Sequence, residues 1–418
     1  MTRFILFITL FISLSVYGQA DPTATLYSYD DCLGSARPYP VPTQDVAYPS
    51  DLKPLMINHV GRHGARFPSS PRYATELRTA LLRADSAGTI TPRGKQLLAL
   101  ATYVIDRCHN YWGALDSLGM AEQRGIASRM FLNYPQLFID KKVKAISSYS
   151  PRCVMSMYEF THQLDRLDNK VELYTSAGRQ NTPLMRFFDN SIDYTDYVNS
   201  KVWNTPYQDV AHIKITAAPL KRVLGDMPLS RKEVETIAMA EYSFLAGLPA
   251  MSVSVDISQY LTLEEFNALW SMHNLRQYLL RSATTLSTAP AEIASPLLLD
   301  LINTTDNFIN GTDATTVHLR FGHAETLMPL FSMLHIDGAY YLTNYFDTVG
   351  QHWRDFSFVP MAANLQMILF KNAKNEYVVR FDLNEEPIKL IPNDDRIYLP
   401  WADARAYMVR SLPLIDQP

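Results

Sequence analysis

The chain has 418 residues, of which 47% are apolar and 19% charged, and its formal net charge is −4. That length is enough for two domains with cores of their own. A mildly acidic protein is a poor general binder of nucleic acid, so an anionic ligand must be captured by arginines gathered in a site and not by the overall field.

Residues 1–20 read as a secretory leader. Met1-Thr2-Arg3 gives a basic start, 4–16 is an uncharged run rich in Phe, Ile and Leu, and Gly18-Gln19-Ala20 is a small-residue cleavage site. The run is too short to span a bilayer, and nothing later is long and apolar enough to do so. No cysteine at the cleavage point supports a lipid anchor, and the last residues, Leu414-Ile415-Asp416-Gln417-Pro418, carry no retention address. The expectation is an exported protein, periplasmic or secreted.

The proline-rich segment 34–54 reads as an extended arm over the surface. Leu55-Met56-Ile57 begins a buried strand. Helical spacing follows over 72–87, with Leu77, Ala80, Leu81 and Ala84 on one face. Thr91 and Pro92 cap and open a second helix, whose apolar face carries Leu97, Leu98, Ala101 and Val104. A third helix covers 119–134. Segment 143–148 is a strand, 152–168 a helix and 171–174 another strand; this alternation predicts an α/β fold, a mainly parallel sheet with helices on both faces. From 183 to 310 strand signals fade and helices are expected at 229–247, 262–284 and 291–309. The chain therefore divides into an α/β catalytic domain, 21–182 with 311–418, and an inserted all-helical domain, 183–310. Segment 317–322 returns to strand and opens a helix over 324–334. Segments 364–370 and 376–381 form an antiparallel pair at the sheet edge.

Three motifs carry chemistry, each after a strand, where parallel sheets place ligands. The first is Arg62-His63-Gly64-Ala65-Arg66-Phe67-Pro68. Guanidinium forks bind phosphate oxygens bidentately and keep their charge, glycine lets the backbone turn and an anion approach, and an imidazole in such a cradle can attack phosphorus. The second is Gly322-His323-Ala324-Glu325-Thr326, where a helix N-terminus suits a phosphate, His323 is placed to hydrogen-bond a phosphoryl oxygen and Glu325 to protonate a departing alkoxide. The third, Ser150-Pro151-Arg152, supplies a further guanidinium from the same sheet edge. His59 reads as an ordinary strand histidine. The cysteines, Cys32, Cys108 and Cys153, allow one disulfide in an exported chain without choosing the pair, and their spacing is unlike a zinc site.

Together these residues resemble the histidine acid phosphatases, the branch-two members of the histidine phosphatase superfamily. Within them the chain is most similar to the multiple inositol polyphosphate phosphatases, bacterial phytases of that type included, which carry H-A-E where other members carry H-D. The run Leu184-Met185-Arg186-Phe187-Phe188-Asp189 is similar to one in that subgroup. The resemblance implies a phosphohistidine intermediate with His63 as nucleophile. Arg62, Arg66, Arg152 and His323 would hold the phosphoryl oxygens, Glu325 would donate the proton, and no metal or other cofactor would be needed. The implied substrates are phytate and other inositol polyphosphates, with an acidic to near-neutral optimum and several positional isomers released. Arg179, Arg186, Lys201, Lys214, Lys221 and Arg222 are candidates for gripping distal phosphates, each more readily read as plain surface charge. A broad acid or sugar phosphatase of the same superfamily is the alternative enzyme. A non-catalytic phosphate-ester binding protein is the alternative of another class.

Overall fold

The computed structural model describes residues 26–43 and 47–414; the expected leader and the last four residues lie outside them. β1 (Lys53–Arg62) is followed by α1 (Arg72–Ser86), α2 (Pro92–Arg107) and α3 (Ser117–Asn133). β2 (Lys142–Ser147), α4 (Pro151–Leu167) and β3 (Glu172–Ala177) come next. A helical stretch then holds α5 (Thr182–Met185), α6 (Ile192–Ser200), α7 (Asn204–Lys214), α8 (Ala218–Leu224), α9 (Arg231–Gly247), α10 (Leu263–Arg281), α11 (Ala289–Glu292) and α12 (Ser295–Ile309). β4 (Val317–Gly322), α13 (Ala324–Met333), α14 (Val349–His352) and α15 (Asp355–Phe358) lead into β5 (Asn364–Lys371), β6 (Tyr377–Leu383), β7 (Glu386–Ile388), β8 (Leu399–Pro400) and α16 (Trp401–Ser411).

These strands form one sheet in the order β3-β2-β4-β1-β5-β6-β7, with β8 also on β6. β1 to β4 are mutually parallel, and β5 onward pair antiparallel as an extension. The mixed α/β architecture with a mostly parallel central sheet follows the expectation. Central strands need apolar residues on both sides, and β4 is buried at every position. Alternate residues feed two separate cores. Ile57, Leu319, Phe321 and Ile368 pack under α3 and α4 with Ile126, Met130, Phe160 and Leu164. Val60, Leu365 and Met367 face the larger core built from Leu298, Leu327, Phe331 and Met408 of α12, α13 and α16. α1 and α2 pack on α9 and α8 of the helical stretch, in that larger core.

One expectation fails near the start. The arm at 34–54 does not simply lie on the surface: Gly34 and Ser35 belong to a buried 3₁₀ turn, Asp31–Ala36, and Tyr39 is buried too. Two interior carboxylates tie this segment down. Ser35 N–H donates to Asp355 Oδ2 at 2.9 Å and Tyr39 N–H donates to Glu122 Oε1 at 2.8 Å. The turn needs glycine at 34, where φ is +60° and an added Cβ would meet Asp355 Oδ2 at 3.0 Å. Proline content signals extended backbone but says nothing about which side of it is covered.

Candidate active site

Pairing of β1 with β4 sets Arg62 opposite Gly322, and β2 sets Ser147 opposite Phe321. The three motifs therefore leave the sheet side by side. Their side chains line a cavity of about 250 Å³ whose walls include Arg62, His63, Arg66, Arg152 and Glu325, with Tyr73, His273 and Gln277 from the helices opposite.

Arg62 is buried and held by two carbonyls, Ser35 O at 2.6 Å and Val359 O at 2.7 Å, so the buried turn near the start positions it. Arg66 spends one nitrogen on Phe67 O, 2.9 Å away. The Nε atoms of Arg62, Arg66 and Arg152 are buried without a hydrogen-bond partner. None of the three makes an ion pair with a carboxylate among the described residues. Burial and mutual repulsion pull Arg62 down to about 10 and Arg66 to about 9. This is a cluster of like charges short of an anion.

His63 lies among them. Its Nδ1 is 2.9 Å from Gly64 O, and a carbonyl only accepts, so Nδ1 carries the hydrogen and Nε2 keeps its lone pair. Burial first, then the charges of Arg62, Arg152 and Arg66, hold the ring well below the ordinary imidazole value and therefore neutral. The loop is fixed from behind: Gly64 N–H donates to Ser156 Oγ, Ala65 N–H to Glu122 Oε2, and Gln123 Nε2 to Arg62 O. Glycine at 64 serves this packing, a role the sequence did not suggest. A Cβ there would lie 2.4 Å from Gly119 O, so two glycines let α3 seat against the loop.

The His323 ring centroid is 5.8 Å from that of His63, close enough for one anion to touch both. Its nitrogens are engaged on both sides, Nε2 with Ser148 Oγ at 2.9 Å and Arg186 Nη1 at 3.1 Å, Nδ1 with Arg152 Nη2 at 3.2 Å. It stands behind the cavity wall between two arginines, from only one of which a neutral ring can accept a hydrogen bond, and burial leads the causes that hold it at about 3. Glu325 is at the mouth, its side chain 39% exposed. Burial alone would raise its carboxyl, but the charge of Arg281 and its own backbone N–H outweigh that and hold it below the ordinary carboxyl value. Both directions agree on the pair: His323 neutral, Glu325 ionised.

Cys32, Cys108 and Cys153 are all buried and unpaired, so the disulfide the sequence allowed does not form. Cys153 donates to Gly322 O at 3.1 Å, and burial pushes its thiol up to about 12. His59 is wedged between the rings of Phe160 and Phe321, as a strand histidine should be. Of the distal-phosphate candidates, only Arg186 reaches the site; it forks Asp189 and touches His323. Arg222 is engaged with Glu265 and Tyr260 O, Arg179 lies over the Tyr149 ring, and Lys201, Lys214 and Lys221 do not line the cavity. Arg281, Ser148 and Glu122 are the functional neighbours that sequence reasoning missed. Arg281 closes a helix, where a basic residue is ordinary, and so carried no signal.

Comparison with known proteins agrees with this geometry. The family model described as "Histidine phosphatase superfamily (branch 2)" matches residues 56–384. The multiple inositol polyphosphate phosphatase 1 of Gallus gallus is 26% identical over 405 residues, covering 86% of this chain and 82% of that protein. The structure of Bifidobacterium longum multiple inositol polyphosphate phosphatase with inositol hexasulfate superposes with a TM-score of 0.75 at 18% identity, covering 92% of this chain and 99% of the other. The D. castellii phytase gives 0.70 at 15% identity, covering 91% and 85%. With the family match spanning both ends of the sheet edge where the arginines and histidines meet, the chain belongs to branch 2 of the histidine phosphatase superfamily.

Proposed function

We propose that the protein is a phosphomonoesterase that hydrolyses inositol polyphosphates, phytate among them, through a phosphohistidine. The observation that carries this is the trio Arg62, Arg66 and Arg152, the first buried and the other two half-buried around a neutral imidazole, with buried, unpartnered Nε atoms and, among the described residues, no ion-paired carboxylate. Charge-assisted hydrogen bonds from such groups contribute roughly 1.5–3 kcal/mol each, and a phosphoryl dianion is the acceptor that suits three forks at once. The substrate class rests on the relatives' names and on the H-A-E spelling at 323–325. The alternative of a non-catalytic binding protein is disfavoured because both His63 and Glu325 face the same cavity.

In the first step His63 Nε2 forms a bond to phosphorus as the bond to the ester oxygen breaks, and Glu325 gives its proton to that oxygen. In the second, water attacks phosphorus, the nitrogen–phosphorus bond breaks, and Glu325 takes the proton from the water. Arg62, Arg66 and Arg152 neutralise the charge on the non-bridging oxygens throughout, while His323 keeps Arg152 and Arg186 in register. Export to the periplasm or beyond fits the leader read in the sequence. Among the described residues no helix is long and apolar enough to cross a membrane.

The test is to quench turnover of radiolabelled phytate in alkali and map the label. We expect it on His63, stable to alkali and lost in acid, with phytate turned over faster than glucose 1-phosphate or 2,3-bisphosphoglycerate. Label elsewhere, or none, sinks the assignment of His63; a preference for glucose 1-phosphate sinks the substrate class.

A further inference from the structure

We infer that Arg281 is the positioning residue that keeps Glu325 ionised until an ester with a second anionic group beside the scissile one binds, so that polyphosphates arm the general acid and simple monoesters do not. This rests on the phosphatase reading above.

Arg281 is the last residue of α10 and reaches the site from the helical stretch. Its Nη2 lies 3.7 Å from Glu325 Oε1, an ion pair too long to be a hydrogen bond. Its Nη1 contacts the hydroxyl of Tyr194, and its Nε is buried without a partner. The guanidinium leans on the rings of Phe188 and Tyr194, at 6.0 and 5.6 Å, and keeps 19% of the side chain exposed. It is anchored by two aromatic faces and the Tyr194 hydroxyl and only loosely paired with the carboxylate, the condition in which a stronger anion displaces that carboxylate.

The other groups facing Glu325 do not fill this role. His323, at the head of α13, is neutral. Arg62 from β1, Arg66 from the loop and Arg186 beyond α5 each feel the carboxylate, while Arg152 from α4 is turned to His323. The acid nearest this pair, Asp189, already forks Arg186. His273 of α10 lines the cavity beside Asp355. The scissile phosphoryl group neutralises Arg62, Arg66 and Arg152, which leaves Arg281 as the charge still opposing protonation of Glu325. A neighbouring phosphate on the same ring takes that charge. Glu325 then gains a proton from solvent, gives it to the leaving oxygen, takes one from the attacking water, and returns that one to solvent when the products leave and Arg281 pairs with it again, so protons balance over the cycle.

The experiment compares the basic limb of kcat, which reports the acid in the substrate complex, for phytate, β-glycerophosphate and p-nitrophenyl phosphate in the wild type, Arg281→Gln and Arg281→Lys. Substrate titration is common to the three proteins, so the reading is the change between them. In the wild type we expect the phytate limb to lie about 1–3 pH units above that for β-glycerophosphate, the shift an opposite charge at this range imposes on a carboxyl. Arg281→Gln closes the gap by raising the β-glycerophosphate limb, and Arg281→Lys keeps it. p-Nitrophenolate departs without an acid, so its limb stays put in all three. A gap that persists in Arg281→Gln with a raised KM for phytate would mean that Arg281 only grips a distal phosphate. An equal loss on all three esters would mean a structural role. Either overturns the inference, and neither touches the phosphohistidine, which a wild type inactive on every ester would refute instead. Should Arg281→Gln fail to fold, proton uptake by the wild type decides. Inositol hexasulfate stays fully ionised, so its binding should draw about one proton into the protein near pH 5, more than inorganic sulfate does. Equal uptake with both overturns the inference.

Discussion

Replacing Gly119 with alanine changes no group that touches substrate, yet it should cost most of the activity. A Cβ at 119 would sit 2.1 Å from Ala65 O and 2.6 Å from Ala65 N, where such contacts do not fall below 3.0 Å, so the backbone must retreat by about 0.9 Å. Ala65 lies between His63 and Arg66, its N–H held by Glu122 and its carbonyl by the Asp116 N–H at 2.9 Å. The displacement therefore passes straight to the nucleophile and one phosphate-binding arginine. A misplacement of about 1 Å costs on the order of 10²-fold, equivalent to roughly 2.7 kcal/mol of transition-state stabilisation. Overpacking costs about 1–3 kcal/mol of stability, which leaves most of the protein folded. Steady-state kinetics on phytate, read beside thermal melting, separates the two effects. Gly125→Ala on the same helix is the control, because the Cβ there meets only the movable end of Arg129. Wild-type kcat/KM in a folded Gly119→Ala protein would refute the claim that α3 sets the geometry of the loop.

Two further outcomes follow from buried groups. Glu241 is fully buried with both carboxyl oxygens unpartnered, and burial raises it to about 8 from an ordinary 4.5. The folded state thus holds a proton that the unfolded state has shed, and this carboxyl takes stability away as pH climbs between those values; Glu241→Gln should raise Tm more at pH 8 than at pH 5, and an equal gain at both would contradict the burial argument. The thiols of Cys32, Cys108 and Cys153 are buried and raised by desolvation, so a thiol reagent should label none in the native protein and three after denaturation; recovery of fewer than three in the denatured, unreduced protein would reveal a disulfide.

Much of this was legible because local chemistry and topology agree. Strand ends at 62, 147 and 322 could be read from apolar runs, and an α/β sheet gathers such ends on one edge whatever the connecting helices do. The helix starting at Pro92 was equally plain, since Thr91 accepts from Gly94 N–H as a cap should. What escaped was contact between distant segments. Nothing in Ser35 or Val359 announces that their carbonyls hold Arg62, because backbone atoms carry no residue identity. Glu122 hides on a helix face as an ordinary acid until the fold presses it against Ala65 and Tyr39. The glycine at 64 was read for its freedom toward a ligand, and only the position of Gly119 reveals what its missing side chain makes room for.

The charge pattern of the site carries one more step. For His63, burial and the surrounding arginines act in the same direction, so the residue types alone sufficed to expect a neutral nucleophile. For Glu325 the influences oppose one another: burial favours the protonated acid, while Arg281 favours the carboxylate. A motif of three letters cannot decide such a contest when the deciding charge lies 44 positions earlier, on a helix from another part of the chain. The consequence is an order of events. A cationic bowl that attracts a phosphate also keeps its own acid deprotonated, so the proton must arrive with the substrate or after it. On that reasoning the anionic load of the ester acts twice, once in affinity and once in arming the catalyst, which is a physical reason for a polyphosphate to be preferred over a monoester that fits the same cavity.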